Sequence, residues 1–402
     1  MKESDVTNIL ERIYLGRQIS RTELAEQAGF ALSYTSTLVG ALLKQGWLEE
    51  AGLAPSKGGR RRVLLQLNPE MGHLIGIDVG RMNFRVVLTN ILGEVLESRA
   101  FPLEVAEEEY VIERLRAEIS RCLRQSGKVR GIGIAQSGVI DRRTGTVLFW
   151  PKVKGWHNVP LKKILEEKYK LPVVVDDSTR TMAISEQRFG QGNGIPNFVF
   201  VSIGMGIGSA IFIDGKLYAG LDGLAGELGH TTIDLNGTLC SCGNRGCLEV
   251  YASGTAILKR MNVELANGVT SSFTEIARSG DLIEKMADAA SAGDRLSQIV
   301  LSDAGSHLGT ALANIVNWLN PRRIILGGAV ARNAGPLWFE SVLRALRARA
   351  FQQSMSQVDV LHSSLDDTAG AVGAVVMLVQ EMLATDRHRL KGGVRTTAKP
   401  EK

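Results

Sequence analysis

"NFVFVSIGMGIGSAIFIDGKL", Asn197 to Leu217, decides the fold of this chain. An apolar run from Phe198 to Ile203 meets a glycine-rich turn, a second apolar run follows, and Asp214-Gly215 turns the chain again. Short apolar runs bounded by glycine turns predict strands. The same plan occurs upstream. "HLIGIDVG" (His73 to Gly80) reads as a short buried strand ending in a glycine turn, and "FRVVLTNILGEVLESR" (Phe84 to Arg99) as a hairpin around Asn90 to Gly93. Two such beginnings predict a duplicated α/β architecture with a cleft between two lobes. Glycine turns after strands can cradle phosphates, and they also serve ordinary tight turns.

Residues 1–70 follow a different pattern. Ile9, Leu10, Ile13 and Tyr14 recur at helical spacing. Ser20 and Glu23 then form an S-x-x-E capping box, with Gly29 as the helix stop. A third helix is expected in "LSYTSTLVGALLKQGWLEE" (Leu32 to Glu50), capped by Ser33 and burying Leu38, Val39, Leu42 and Leu43. "RRVLLQLNP" changes the period to two, with Val63, Leu65 and Leu67 on one face of a strand. Three helices and a hairpin with a glycine and arginine tip outline a winged helix-turn-helix. Its third helix would offer Ser33, Tyr34, Thr35, Ser36 and Thr37 to phosphates and base edges. Its wing would offer Lys57, Arg60, Arg61 and Arg62 to a backbone or narrow minor groove. A protein-docking unit with a basic loop is the competing reading.

The 402 residues suffice for two or three domains, and 44% hydrophobic with 22% charged is a globular composition. The longest apolar run near the C-terminus, Ala369 to Val379, is eleven residues, too short to span a bilayer. Met-Lys-Glu-Ser-Asp opens the chain with no apolar stretch behind it, so the expectation is a cytoplasmic protein with no membrane partner. Net charge is +5, of which +4 sits in residues 386–402, read as a disordered basic tail.

In a reducing compartment clustered cysteines point to metal before disulfides. "CSCGNRGCLE" (Cys240 to Glu249) packs three of the four cysteines into eight residues. A redox pair and buried structural thiols are the alternatives; Cys122 stands alone as an ordinary helix residue.

With "GLAGELGH" (Gly223 to His230), "LNPRRIILGG" (Leu319 to Gly328) and "DDTAGAVGAV" (Asp366 to Val375), that cysteine loop resembles the ROK family over nearly the whole chain. The family groups sugar-responsive repressors with bacterial sugar kinases. The resemblance implies an α/β, actin-like, two-lobed, sugar-kinase-like ROK domain preceded by the winged helix-turn-helix. It divides the chain into 1–70, a first lobe at 73–195 joined by a C-terminal helix near 368–384, and a second lobe at 196–367 holding the metal loop. It supplies His230 as fourth ligand beside Cys240, Cys242 and Cys247 for a structural Zn2+, and gives Gly138, Glu227, His230 and Glu249 as sugar contacts. The alternative for those groups is that they only hold the metal loop.

Several positions depart from the kinase pattern. The base aspartate of the family falls at Ser178, with Asp177 one residue early, about 100° away on a helix. The turn Asp-x-Gly-Gly-Thr is Asp78-Val79-Gly80-Arg81-Met82, and Gly-Thr-Gly is Gly204-Met205-Gly206. Lys152 replaces the usual sugar-contacting Asn, and Ser137-Gly138 the usual Pro-Gly. The expectation is therefore a catalytically inactive regulator, a repressor binding a double-stranded DNA operator as a homodimer or homotetramer. Its effector would be a sugar, an acidic sugar or a sugar phosphate. An active kinase with an appended DNA-binding domain, or a regulator controlled by a protein partner, are the competing readings.

Overall fold

The computed structural model describes residues 2–55, 61–80, 83–103, 105, 107–276 and 281–385. Lys57, Arg60, Arg81, Met82 and the 386–402 tail, all named above, lie outside the described residues.

The chain opens with α1 (Glu3–Gly16), whose Val6, Ile9, Leu10, Ile13 and Tyr14 face inward. After β1 (Ile19–Ser20), α2 (Arg21–Ala28) starts on a complete capping box. The Ser20 hydroxyl accepts from the Glu23 N–H, and the Glu23 carboxylate accepts from the Ser20 N–H at 3.0 Å. Gly29 ends the helix in the left-handed region, φ 68°, as its position predicts. α3 (Leu32–Lys44) begins from Ala31, which corrects the expected cap. Ser33 lies inside the first turn, and its carbonyl accepts from Thr37 Oγ1 at 3.0 Å. β2 (Leu48–Leu53) and β3 (Val63–Leu67) form an antiparallel hairpin, and β1 adds to β3, giving the order β1-β3-β2.

Backbone contacts divide the chain into two compact units. One runs up to Ser185 and resumes at Thr368; the other is Glu186–Asp367. In the first, the module just described leads into β4 (His73–Val79), β5 (Asn83–Asn90), β6 (Val95–Pro102), α4 (Glu108–Gln125) and β7 (Val129–Gln136). A small sheet of β8 (Val139–Asp141), β9 (Thr146–Phe149) and β10 (His157–Val159) follows, then α5 (Leu161–Tyr169), β11 (Val173–Asp177) and α6 (Ser178–Phe189). The main sheet has order β11-β7-β4-β5-β6. β4, β5 and β6 are antiparallel neighbours, whereas β7 joins β4, and β11 joins β7, in parallel. Central β4 and β7 are apolar runs buried on both faces, and edge strand β6 is largely exposed, as their positions require.

The second unit holds β12 (Phe198–Ile203), β13 (Ile207–Ile213), β14 (Lys216–Tyr218), α7 (Glu249–Ala252), α8 (Gly254–Ala266), α9 (Phe273–Ile276) and α10 (Leu282–Ser291). Next come α11 (Arg295–Leu319), β15 (Arg323–Gly327), α12 (Ala329–Asn333), α13 (Gly335–Arg349), α14 (Gln352–Met355) and β16 (Asp359–His362). Its sheet, β14-β13-β12-β15-β16, repeats the first sheet's plan strand for strand: two antiparallel neighbours on one side, two parallel strands on the other. The expected duplication is therefore present in topology.

The chain then returns to the first unit as α15 (Ala369–Thr385), which packs across β4 and β7. Glycines allow backbone to meet backbone there. A Cβ on Gly133 would collide with the Ala374 carbonyl, and one on Gly373 with the Thr181 carbonyl of α6. α15 also contacts α1. Gly373→Ala should therefore lose about 1–3 kcal/mol of stability, as overpacking does. Gly127→Ala, which meets nothing within 4 Å, should stay within about 0.5 kcal/mol; denaturant unfolding of both variants checks this.

Candidate functional site

The outward face of α3 carries Ser33, Tyr34, Ser36 and Thr37, all exposed. Thr35 does not join them. It is fully buried with Leu38, Val39 and Leu42, because positions 35, 38, 39 and 42 share one face of a 3.6-residue helix. Thr35 is thus corrected from a DNA-facing residue to a core one. Leu43, expected in the core, is half-buried at its edge. Arg61 and Arg62, at the base of the hairpin, are exposed.

In the second unit a loop runs from the short 3-10 turn Leu228–His230 to α7. It brings together the imidazole of His230 and the sulfurs of Cys240, Cys242 and Cys247, with all four donor atoms within 4.8 Å of one another. Cys240 Sγ is 3.7 Å from His230 Nδ1, and Cys242 Sγ is 3.7 Å from Cys247 Sγ. A tetrahedral ion with metal–sulfur bonds of about 2.3 Å and metal–nitrogen bonds of about 2.0 Å sets such pairs roughly 3.6–3.8 Å apart. The cluster could hold a metal ion, and its donors and spacings fit zinc. Burial, then the neighbouring sulfurs of Cys242 and Cys240, pushes the Cys247 thiol up to about 12. A backbone hydrogen bond involving Asn244 lowers Cys242. Sulfurs this close cannot all ionise unless a cation sits among them.

Sequence reasoning missed the groups that support this loop. Asn244 Nδ2 donates to Thr232 Oγ1 at 2.9 Å, and the Asn244 carbonyl accepts from the Cys240 N–H at 2.7 Å. Tyr251 Oη accepts from the Thr238 N–H at 3.0 Å and donates to Asp234 at 3.2 Å. Asn-Arg-Gly inside the cysteine motif was the available signal for the first; nothing local announced Tyr251.

The expected sugar contacts separate by role. Glu227 is exposed at the start of the 3-10 turn, and its side chain makes no capping bond. His230 turns Nδ1 to Cys240, leaving Nε2 as its other hydrogen-bonding atom. Glu249 accepts from the Ile207 N–H at 2.9 Å, the first amide after the Gly204-Met205-Gly206 turn. In that turn Thr255 Oγ1 donates to the Met205 carbonyl at 2.6 Å, and the Gly254 N–H to the Gly204 carbonyl at 2.8 Å. Gly138 belongs to the first unit. It adopts φ 114° against the Phe149 carbonyl and Trp150, where a Cβ does not fit. Lys152 is exposed in the loop after β9.

At the position of the kinase base, Ser178 is buried and donates its hydroxyl to Asp78 Oδ1 at 3.0 Å. Asp177 Oδ1 accepts the N–H groups of Thr179 at 2.8 Å and Arg180 at 3.2 Å, so that carboxylate caps α6.

A winged helix-turn-helix outline stands ahead of two sheets of one topology, the second unit bearing a cluster of one histidine and three cysteines: the fold class is a helix-turn-helix module followed by a sugar-kinase-like α/β domain. The description "ROK family" matches residues 74–381, and the chain belongs to that family. It is 33% identical over 390 residues to a xylose repressor of Caldicellulosiruptor bescii, covering 96% of this chain and 97% of that one. Among solved structures, it is similar to a ROK family transcriptional regulator described as a homolog of the E. coli MLC protein. The TM-score is 0.81 at 26% identity, over 97% of this chain and 99% of that one. It is also similar to a ROK family glucokinase from Streptomyces griseus, with a TM-score of 0.67 at 28% identity. That likeness covers 99% of the glucokinase but 76% of this chain. Among the described residues no helix is long and apolar enough to cross a membrane.

Cys247→Ser should release the metal. Elemental analysis of the purified protein should find about one zinc per chain in the parent and in Cys122→Ser, and far less in Cys247→Ser, whose unfolding temperature should fall with it.

Proposed function

We propose that this chain is a transcriptional repressor: a winged helix-turn-helix that binds a double-stranded operator, governed by a kinase-derived domain that senses a sugar-class effector and does not transfer phosphate. The observation that carries the reading is the N-terminal module, with its capping box on α2, polar outward face on α3 and exposed Arg61 and Arg62 at the base of the hairpin. The regulator relative covers 97% of this chain, whereas the glucokinase covers 76% of it.

Loss of kinase chemistry is supported at two points. A general base must take the proton of the attacking hydroxyl; at its position stands a serine whose own proton goes to Asp78. The adjacent carboxylate is engaged in capping α6. The second phosphate turn presents Met205 in place of a hydroxyl, and Glu249 already takes the following amide.

His230, Cys240, Cys242 and Cys247 would hold zinc as a structural ion. With four protein ligands no coordination position is left for a reacting water, and the ion's contribution is to fix the loop. The loop in turn positions Glu227 and Glu249, whose carboxylates suit the hydroxyls of a sugar. In the first unit, Gly138 and Lys152 stand at family sugar-contact positions, and Lys152 is an exposed cation that suits an acidic sugar or a sugar phosphate. Effector binding would change the spacing of paired α3 helices in a homodimer or homotetramer. Such helices must meet half-sites about one DNA turn, ~34 Å, apart, so small rotations change affinity.

Arg61→Ala should weaken duplex binding across all sequences and reduce the slope of log affinity against log salt by about one. Fluorescence anisotropy at several salt concentrations reads both. Incubation with ATP and a hexose panel should yield no phosphorylated sugar; zinc-dependent turnover would support the kinase reading instead.

A further inference from the structure

Tyr34 stands at the flank of the outward face of α3, on the side nearest α1, and its side chain is fixed from two directions. Its hydroxyl donates to Asp5 Oδ2 in the first turn of α1 at 2.7 Å. Its ring meets Phe30 edge-on, centroids 5.6 Å apart and planes at 77°. Both contacts lie at the N-terminal end of α3, the end that approaches base edges in a helix-turn-helix. Tyr34 remains partly exposed at 37%, and Asp5 is half-buried, so the pair is ordered yet accessible.

Hydrogen-bond chemistry then restricts what the pair can read. A phenol has one proton to donate, and here that proton is committed to Asp5. The hydrogen bond to Asp5 also holds the Tyr34 phenol above its usual range, so the proton stays in place. What remains outward is the lone pair of the Tyr34 oxygen and the acceptor capacity of the carboxylate. Oδ1 of Asp5 accepts a long 3.3 Å bond from the Ser4 hydroxyl, the other contact made to this carboxylate among the described bonds. In the major groove, hydrogen-bond donors are the N4 amino group of cytosine and the N6 amino group of adenine; guanine and thymine present acceptors there.

Resting on the DNA-binding reading above, we infer that Tyr34 and Asp5 form an acceptor-only reader that selects an amino-bearing base, cytosine or adenine, at one position of each operator half-site. Asp5 is the residue that sets the polarity of the contact, although it lies outside the recognition helix. It also penalises a neighbouring phosphate, so the contact favours a base edge over the backbone. Ser33, Ser36 and Thr37 have rotatable hydroxyls that can donate or accept, and carry no such restriction.

The test is selection of binding sites from a random duplex library by the full-length, zinc-loaded protein, compared with Asp5→Asn and Tyr34→Phe. The parent motif should hold one position per half-site to cytosine or adenine. In Asp5→Asn the amide can donate to the Tyr34 oxygen and release its proton outward. Discrimination at that single position should then fall about tenfold or move towards guanine or thymine, with the rest of the motif unchanged. Tyr34→Phe should lose the same preference without the shift. Circular dichroism of both variants confirms that the helices are intact. Identical motifs for all three proteins, or a change confined to overall affinity and salt slope, would overturn the inference and leave DNA binding standing. No enriched motif for the parent would overturn both readings.

Discussion

The close approach of α15 to the first sheet is the constraint on which the first unit depends. Residues 186–367 form a unit of their own between two parts of the first, so the first unit is completed only when the C-terminal helix returns to it. The helix seats without side chains intervening. Gly76 and Gly133 on neighbouring strands face its Ala371 and Ala374 carbonyls, and Gly370 lies against the Asp78 carboxylate that holds Ser178. Dispersion at such short range is lost steeply with any gap, so the seat is specific as well as tight. One helix thus contacts the central strands, the start of α6 and α1.

The cluster of His230, Cys240, Cys242 and Cys247 draws together a stretch with little regular structure. Between the turn at Leu228–His230 and the four-residue α7 there are only isolated bridges, Thr232 with Cys247 and Leu239 with Arg245. A loop of that kind has few apolar contacts to offset its conformational entropy. Four side chains meeting at one point, braced by Asn244 and Tyr251, take the place of a packed core.

Where a signal was local, it was legible. Ser20 and Glu23 are three residues apart and their reciprocal bonds follow from that spacing; the strand–turn–strand repeats fixed the first three strands of each sheet. The Cys-x-Cys-x4-Cys loop named its own donors, and family resemblance added His230. Long-range pairings were not legible. Ser178 meets Asp78 across 100 residues, and Tyr34 meets Asp5 across 29. Thr35 was misplaced although its side was legible: it lies three and four residues before Leu38 and Val39, so helical spacing places it on their buried face, and its polarity misled.

The contact between α1 and α15 joins the beginning of the described chain to its end. Of the described elements α1 is synthesised before the others, and α15, its partner, after them. Contacts of such separation are slow to form, and domains fold as units while the chain lengthens. The N-terminal module can therefore fold early but docks late, onto a unit that α15 completes. A chain lacking α15 would leave α1 without that seat, so the order of synthesis makes α15 a checkpoint on assembly of the first unit.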